Sequence, residues 1–207
     1  LVIIDSPTFS HRVAKRVREK LPDVPIVNYV PPTVWAWREE RAQKMRAYVD
    51  HAICILPFEP AIMERLDGPP STYVGHPLMR VPALSQMIAD PARTTPDRAP
   101  ASPPRLLILP GSRRGEINRL IDDFGRTFDV LRGRMPGVTA VIPALERHRP
   151  LIEQKIAGWE VKPEIVTGET AKWAAFAEAD AALAASGTVS LELALADVPM
   201  ALAYRLD

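Results

Sequence analysis

Apolar and polar positions fall into blocks along this chain, and the blocks recur in one order. Short apolar runs are each followed by a turn residue and then by a polar segment with helical spacing. Leu1–Ile4, Ile26–Val30, Ala52–Leu56 and Thr72–Val74 read as strands in the first part of the chain. Leu106–Leu109, Thr139–Ile142, Glu164–Val166, Ala181–Ala184 and Met200–Tyr204 read as strands in the second. Helices are expected from Pro7 to about Lys20, with Ser6 as N-cap, and over Glu59–Leu66, Arg114–Arg134, Leu151–Ala157, Ala171–Ala179 and Val189–Ala196. Trp173 and Phe176 are expected on the core side of their helix. A run such as Leu1–Ile4, apolar at every position, fits a parallel strand buried on both faces. Strands alternating with helices in this way predict an α/β fold with doubly wound parallel sheets.

One stretch breaks the pattern. Residues 90–104 are rich in Pro, with Ala, Thr and Ser and no apolar periodicity. They read as a linker between an α/β domain over 1–89 and a second over 105–207. The chain opens inside an apolar strand without Met and stops directly after another strand signal, so it reads as an excerpt of a longer protein.

Composition narrows the function. The formal net charge is +1, so no global field calls for nucleic acid, and any anion site has to be local. Cys54 is the single cysteine, which rules out an intrachain disulfide and fits a reducing compartment. No run reaches the ~18 apolar residues that span a bilayer. There is no Cys/His cluster, no Gly-x-x-x-x-Gly-Lys-Ser/Thr loop and no Asp-x-Asp pair. No metal and no cofactor are therefore expected.

Candidate chemistry sits where strands turn into helices. Leu106–Leu109 stops at Pro110-Gly111, and Ser112 opens a helix-like segment with Arg113 and Arg114. Amides at a helix start hold anions, and cations placed there act against the helix dipole. Something negative is expected to dock, with a diphosphate as first choice and a solvated surface turn as the alternative. Ser186-Gly187-Thr188 forms a second such corner, with Glu192 one helical turn past Thr188 on the same face. Its carboxylate can accept from two ribose hydroxyls; the plainer reading is a Thr-capped helix. In open α/β sheets ligands collect at the C-terminal strand ends, where both corners lie. Asp5 ends the first strand and can act as a general base on a hydroxyl, or simply belong to a helix start. His76, between Gly75 and Pro77, is either a cleft residue or a turn residue held by hydrogen bonds. Trp35 and Trp37 read as core or interface anchors, and the basic face Arg38–Arg46 as solvated or as facing anionic lipid or substrate phosphate.

Six ordered motifs carry a family likeness. They are Asp5-Ser6-Pro7-x-Phe9, Tyr29-Val30-x-Pro32-x-Val34-Trp35-Ala36-Trp37-Arg38, Leu56-Pro57-Phe58-Glu59, Val74-Gly75-His76-Pro77-Leu78, Leu109-Pro110-Gly111-Ser112-Arg113-x-Gly115-Glu116 and Ala185-Ser186-Gly187-Thr188-x-x-Leu191-Glu192. Together with Pro199-Met200 and Tyr204-Arg205 they resemble lipid-A-disaccharide synthase. The resemblance implies a two-domain GT-B glycosyltransferase fold. It implies transfer of 2,3-diacylglucosamine from UDP-2,3-diacylglucosamine to 2,3-diacylglucosamine 1-phosphate, without a metal. It also implies a cytoplasmic enzyme peripheral to the inner membrane of a Gram-negative bacterium, with a homodimer in the full-length protein. Asp5 matches the family's proposed catalytic aspartate and Arg113 an arginine at its UDP site. Thr8 stands where the family usually has Asp, and the family's opening strand with its glycine-rich loop, and its Asn-containing segment, are expected outside residues 1–207. The alternatives are another GT-B enzyme such as a UDP-N-acetylglucosamine 2-epimerase, or a non-catalytic nucleotide-sugar-binding module.

Overall fold

The structure is a computed structural model that describes residues 1–90 and 103–205. The expected Pro-rich linker falls largely on 91–102, outside the described residues. The chain divides into two compact units, Leu1–Met79 and Arg80–Asp207.

The first unit contains β1 (Val2–Ile4), α1 (Pro7–Lys20), β2 (Val27–Tyr29), α2 (Glu40–Met45), β3 (His51–Cys54), α3 (Glu59–Arg65) and β4 (Ser71–Tyr73). Its strands are parallel and lie in chain order, β1-β2-β3-β4. When every crossover steps the same way and is right-handed, the helices all land on one face. Ile3 points to that face and packs with Ala14, Ile26, Val34, Met45 and Met63. Val2 and Ile4 point the other way and are each 60% exposed. Within residues 1–79 helices cover one face of the sheet, so burial of β1 on both faces is not seen in this chain. The basic segment after Val34 is helical over only six residues, and Trp35 and Trp37 are exposed rather than core. Trp35 meets Phe58 edge-on at 5.3 Å.

The second unit contains α4 (Pro82–Ala89), β5 (Arg105–Leu109), α5 (Arg114–Arg134), β6 (Thr139–Ala144), α6 (Arg149–Ile156), β7 (Glu164–Thr167), α7 (Glu169–Glu178), β8 (Ala181–Ala185), α8 (Thr188–Leu195) and β9 (Met200–Ala203). Its all-parallel order is β7-β6-β5-β8-β9. The chain winds outward from β5 in one direction, then returns and winds outward in the other, which is the doubly wound pattern. Right-handed crossovers then put α5 and α6 on one face and α7 and α8 on the other. On the first face Leu106 and Ile108 of β5 pack with Ile117, Ile121, Phe124 and Ile152. Those α5 positions recur at helical spacing, which is why the chain from Arg114 folds as one long amphipathic helix. Leu107 and Leu109 alternate to the second face and are also buried, so β5 is covered on both sides. Trp173 and Phe176 are buried on α7, as their spacing predicts. Helix α4 has no clear helical signature in the sequence, and its span falls in the domain expected over 1–89. It instead packs on α7 within the second unit, burying Leu84 and Met87.

Candidate functional site

Two strand-to-helix corners meet at the point where the second sheet reverses its winding. β5 and β8 are neighbours in register, with Leu107 opposite Ala182 and Leu109 opposite Ala184. Gly111–Arg113 and Ser186–Thr188 therefore leave the sheet side by side at its C-terminal edge. Both line one cavity of about 580 Å³ that also takes in Glu192. All seven residues expected at a nucleotide site in this half, Gly111, Ser112, Arg113, Ser186, Gly187, Thr188 and Glu192, are brought together there.

The first corner differs from its sequence reading in one respect. Helix α5 begins at Arg114, with Arg113 as its N-cap. Glu116, three residues past Arg113, folds back on the turn. Its Oε2 accepts from the amides of Ser112 (2.9 Å) and Arg113 (3.2 Å), and its Oε1 accepts from the Arg113 guanidinium at 2.7 Å. The negative group expected at this helix start is thus already present within the chain, in the reach-back half of a capping box. Burial pushes the Glu116 carboxyl upward. The guanidinium bond, the two amide bonds and the Arg113 charge outweigh it and hold the group below the usual carboxylate range. Gly111 makes the arrangement feasible. It sits at φ +118°, and a Cβ there would come within 2.5 Å of the Glu116 Cβ. The Arg113 side chain stays 80% exposed, so its remaining donors face the open cavity.

The second corner is open. Gly187 is the N-cap of α8, and no side chain caps that helix, so the Thr-cap alternative does not hold. A Cβ at Gly187 would meet nothing within 4 Å. Glu192 is only 13% exposed at its side chain and pairs with Lys172 Nζ at 2.8 Å. Lys172 lies over Trp173 (4.6 Å to the ring centroid) and Phe176 (5.8 Å). Sequence reasoning missed Lys172, since nothing local ties it to a carboxylate twenty positions away. It also missed His148, whose Nε2 lies 3.1 Å from the Ser112 carbonyl oxygen in the same cavity. The Glu116 contact was findable from its three-residue spacing to the N-cap.

In the first unit, Asp5 sits at the C-terminal end of β1 with φ +52°, and Ser6 follows at φ +44°. Two successive non-glycine residues in the left-handed region cost roughly 1–2 kcal/mol each, less for Asp, and such strain gathers at functional sites. Ser10 Oγ donates to the Asp5 carbonyl at 2.6 Å and to the Ser6 carbonyl at 3.0 Å, which holds the turn. Ser6 occupies the N-cap position, but its side chain caps nothing. Among the described residues the Asp5 carboxylate has no hydrogen-bond or ion-pair partner. His76 Nδ1 accepts from the Leu78 amide at 3.2 Å, the contact of a turn residue. Among the described residues no group of His, Cys, Asp and Glu could hold a metal, and no helix is long and apolar enough to cross a membrane.

Comparisons with known proteins identify the family. The lipid-A-disaccharide synthetase family's model matches residues 1–207. A lipid-A-disaccharide synthase of Rhodopseudomonas palustris (strain CGA009) is 53% identical over 205 residues, 99% of this chain and 51% of the relative. One from Bradyrhizobium diazoefficiens is 48% identical over 206 residues, 100% of this chain and 52% of the relative. The chain thus spans about half the length of these relatives. A solved UDP-GlcNAc 2-epimerase from Neisseria meningitidis, bound to UDP-GlcNAc, superposes with TM-score 0.57 at 12% identity, over 97% of this chain and 58% of that one. A GtfA/B complex does so with TM-score 0.50 at 15% identity, over 98% of this chain and 42% of that one. At such identities these two show the fold alone, the GT-B class with parallel α/β sheets. With the family's model matched from first residue to last and about half of all positions shared with full-length relatives, the chain belongs to the lipid-A-disaccharide synthetase family.

Proposed function

We propose that the full-length protein is an inverting glycosyltransferase, which moves 2,3-diacylglucosamine from UDP-2,3-diacylglucosamine to 2,3-diacylglucosamine 1-phosphate. The products are the β-1,6 disaccharide 1-phosphate and UDP. The observation that carries this reading is the meeting of the Gly111–Arg113 and Ser186–Thr188 corners in one cavity at the winding reversal, where open α/β sheets bind nucleotides. Family membership supports this choice of substrates, and the neighbour solved with UDP-GlcNAc supports a UDP-sugar in this fold.

In the proposed step the acceptor 6-hydroxyl attacks the anomeric carbon. The bond from that carbon to the diphosphate oxygen breaks, its electron pair leaves with UDP, and the hydroxyl proton passes to Asp5. Arg113 and the uncapped start of α8 stabilise the leaving diphosphate. Glu116 already engages the Ser112 and Arg113 amides, so the guanidinium and not those amides carries the first corner's share. Glu192 receives the ribose hydroxyls. No metal has a role in this step. Residues 90–104 act as the linker between the two domains, and the enzyme works as a homodimer on the cytoplasmic face of the inner membrane.

The test uses the full-length enzyme with Asp5→Asn and Arg113→Ala. Asp5→Asn should lower kcat by about 100-fold or more with UDP binding intact, and near-normal turnover in a folded variant removes the base. Arg113→Ala should weaken UDP binding by about tenfold, the loss of one charge-assisted contact, and slow turnover as well. A soluble sugar-nucleotide assay without acyl chains that yields free sugar would favour the epimerase alternative.

A further inference from the structure

The first unit carries a cavity of about 420 Å³ that the nucleotide site does not use. α1 and the segment from Pro32 to Tyr48 build its wall. Five cations line it, Arg12, Lys15, Arg38, Arg41 and Lys44, against one acid, Glu40. Outside the cavity three arginines of the unit are matched to acids: Arg18 to Asp50 at 2.5 Å, Arg46 to Asp67, and Arg65 to Glu39 at 3.5 Å. Among the described residues none of the five cavity cations forms an ion pair.

Three of them are held by aromatic faces instead. Lys15 lies 5.1 Å from the Tyr48 centroid, and Arg38 and Arg41 lie 4.3 and 5.2 Å from that of Trp37. A ring face fixes a cation in place without cancelling its charge. His11 Nδ1 is within 2.9 Å of the Tyr48 hydroxyl, which ties α1 to the far wall. His11 also reports the local field: burial first, then the Lys15 and Arg41 charges, hold its pKa below the ordinary imidazole range. A neutral sugar has no need of such a cluster. A long polyanion would need cations spaced along a track, whereas these converge on one cavity. A compact dianion with several acceptor oxygens matches guanidinium forks and an ammonium point charge.

We propose that this cavity binds a phosphomonoester. The identity of that ligand rests on the transferase reading, in which the acceptor carries a phosphate at C1; Pro7 and Thr8, just past Asp5, lie in the same wall. A sugar phosphate and free phosphate share the chemistry, and the experiment separates them.

Calorimetry on the full-length protein would titrate N-acetylglucosamine 1-phosphate, inorganic phosphate and UDP into wild type, Arg12→Gln, Lys15→Met and Arg41→Gln. Lys20→Gln, at the exposed end of α1 and outside the cavity, is the control. Each cavity variant should weaken sugar-phosphate binding by about tenfold, the share of one charge-assisted bond, with UDP binding unchanged. Lys20→Gln should bind as wild type. Sugar phosphate binding tighter than inorganic phosphate assigns the site to the acceptor; equal binding assigns it to the phosphate group alone. The proposal is overturned if neither phosphate binds, if Lys20→Gln loses as much as the cavity variants, or if the variants lose only retention on phosphatidylglycerol vesicles. Arg12 and Lys15 are exposed, so their variants keep the test valid should Arg41→Gln misfold. Failure of UDP to bind wild type would sink the transferase reading and leave this site standing; UDP binding with no sugar-phosphate binding would do the reverse.

Discussion

Replacing Lys172 by Met tests whether Glu192 is a pre-set ribose acceptor. The Lys172–Glu192 pair is 2.8 Å long, with side chains 22% and 13% exposed. At an effective dielectric of about 20 the bare attraction is roughly 6 kcal/mol. Desolvation of two largely buried ions offsets much of it, but removing one partner strands the other. Lys172→Met, which keeps the length and the contact with Trp173 and Phe176, should therefore destabilise the protein by about 2–3 kcal/mol. It should also release the Glu192 carboxylate from its fixed position. The assay is calorimetric binding of UDP and 2′-deoxy-UDP to the full-length protein, beside urea unfolding. Wild type should favour UDP by about tenfold or more, the worth of a hydrogen bond to a charged acceptor. In Lys172→Met that preference should fall towards unity while 2′-deoxy-UDP binding changes little, and Lys172→Arg should restore part of it. Glu192→Gln in the Lys172→Met background should add little, since both changes break one unit. An unaltered preference in a folded Lys172→Met variant would refute the positioning role.

Three further outcomes follow from the same geometry. Gly111→Ala should displace the Glu116 side chain and cost about 1–3 kcal/mol through the positive φ and the lost amide bonds, read by urea unfolding and by weaker UDP binding. The Glu116 clamp should persist into acid. Its folded pKa lies below the unfolded value, so its stabilisation is present above the usual carboxylate range and fades only as pH falls through the depressed value; comparing wild type with Glu116→Gln between pH 7 and 3 checks this. Cys54 is fully buried, and burial, with the Glu59 charge, pushes its thiol up to about 11 against a weaker opposing bond from Ser71. Iodoacetamide at pH 8 should thus label it slowly in the native protein and rapidly in urea.

Much of the architecture was legible because it depends on local pattern. The run Leu106–Leu109 is apolar at every position since both sheet faces are covered, and Arg114–Arg134 is amphipathic since one side lies on the sheet. Both corner motifs announce themselves through Gly and small residues where a strand stops. Other features had no local signature. Helix α4 is short and shows its apolar face only against α7. Leu1–Ile4 reads as buried because apolarity records what a strand can meet, whereas exposure of Val2 and Ile4 depends on which layers surround it.

The linear order thus carried most of the element types, the parallel α/β class, the two corner motifs and, through six ordered motifs, the family likeness. The folded chain was needed to show that β5 and β8 are neighbours, that Lys172 meets Glu192, and that five cations converge on one cavity with no ion-pair partner among the described residues. Periodicity and turn chemistry act over a few residues and survive in the linear order. Strand adjacency and ion pairing join residues tens of positions apart, and those distances exist only once the chain has closed on itself.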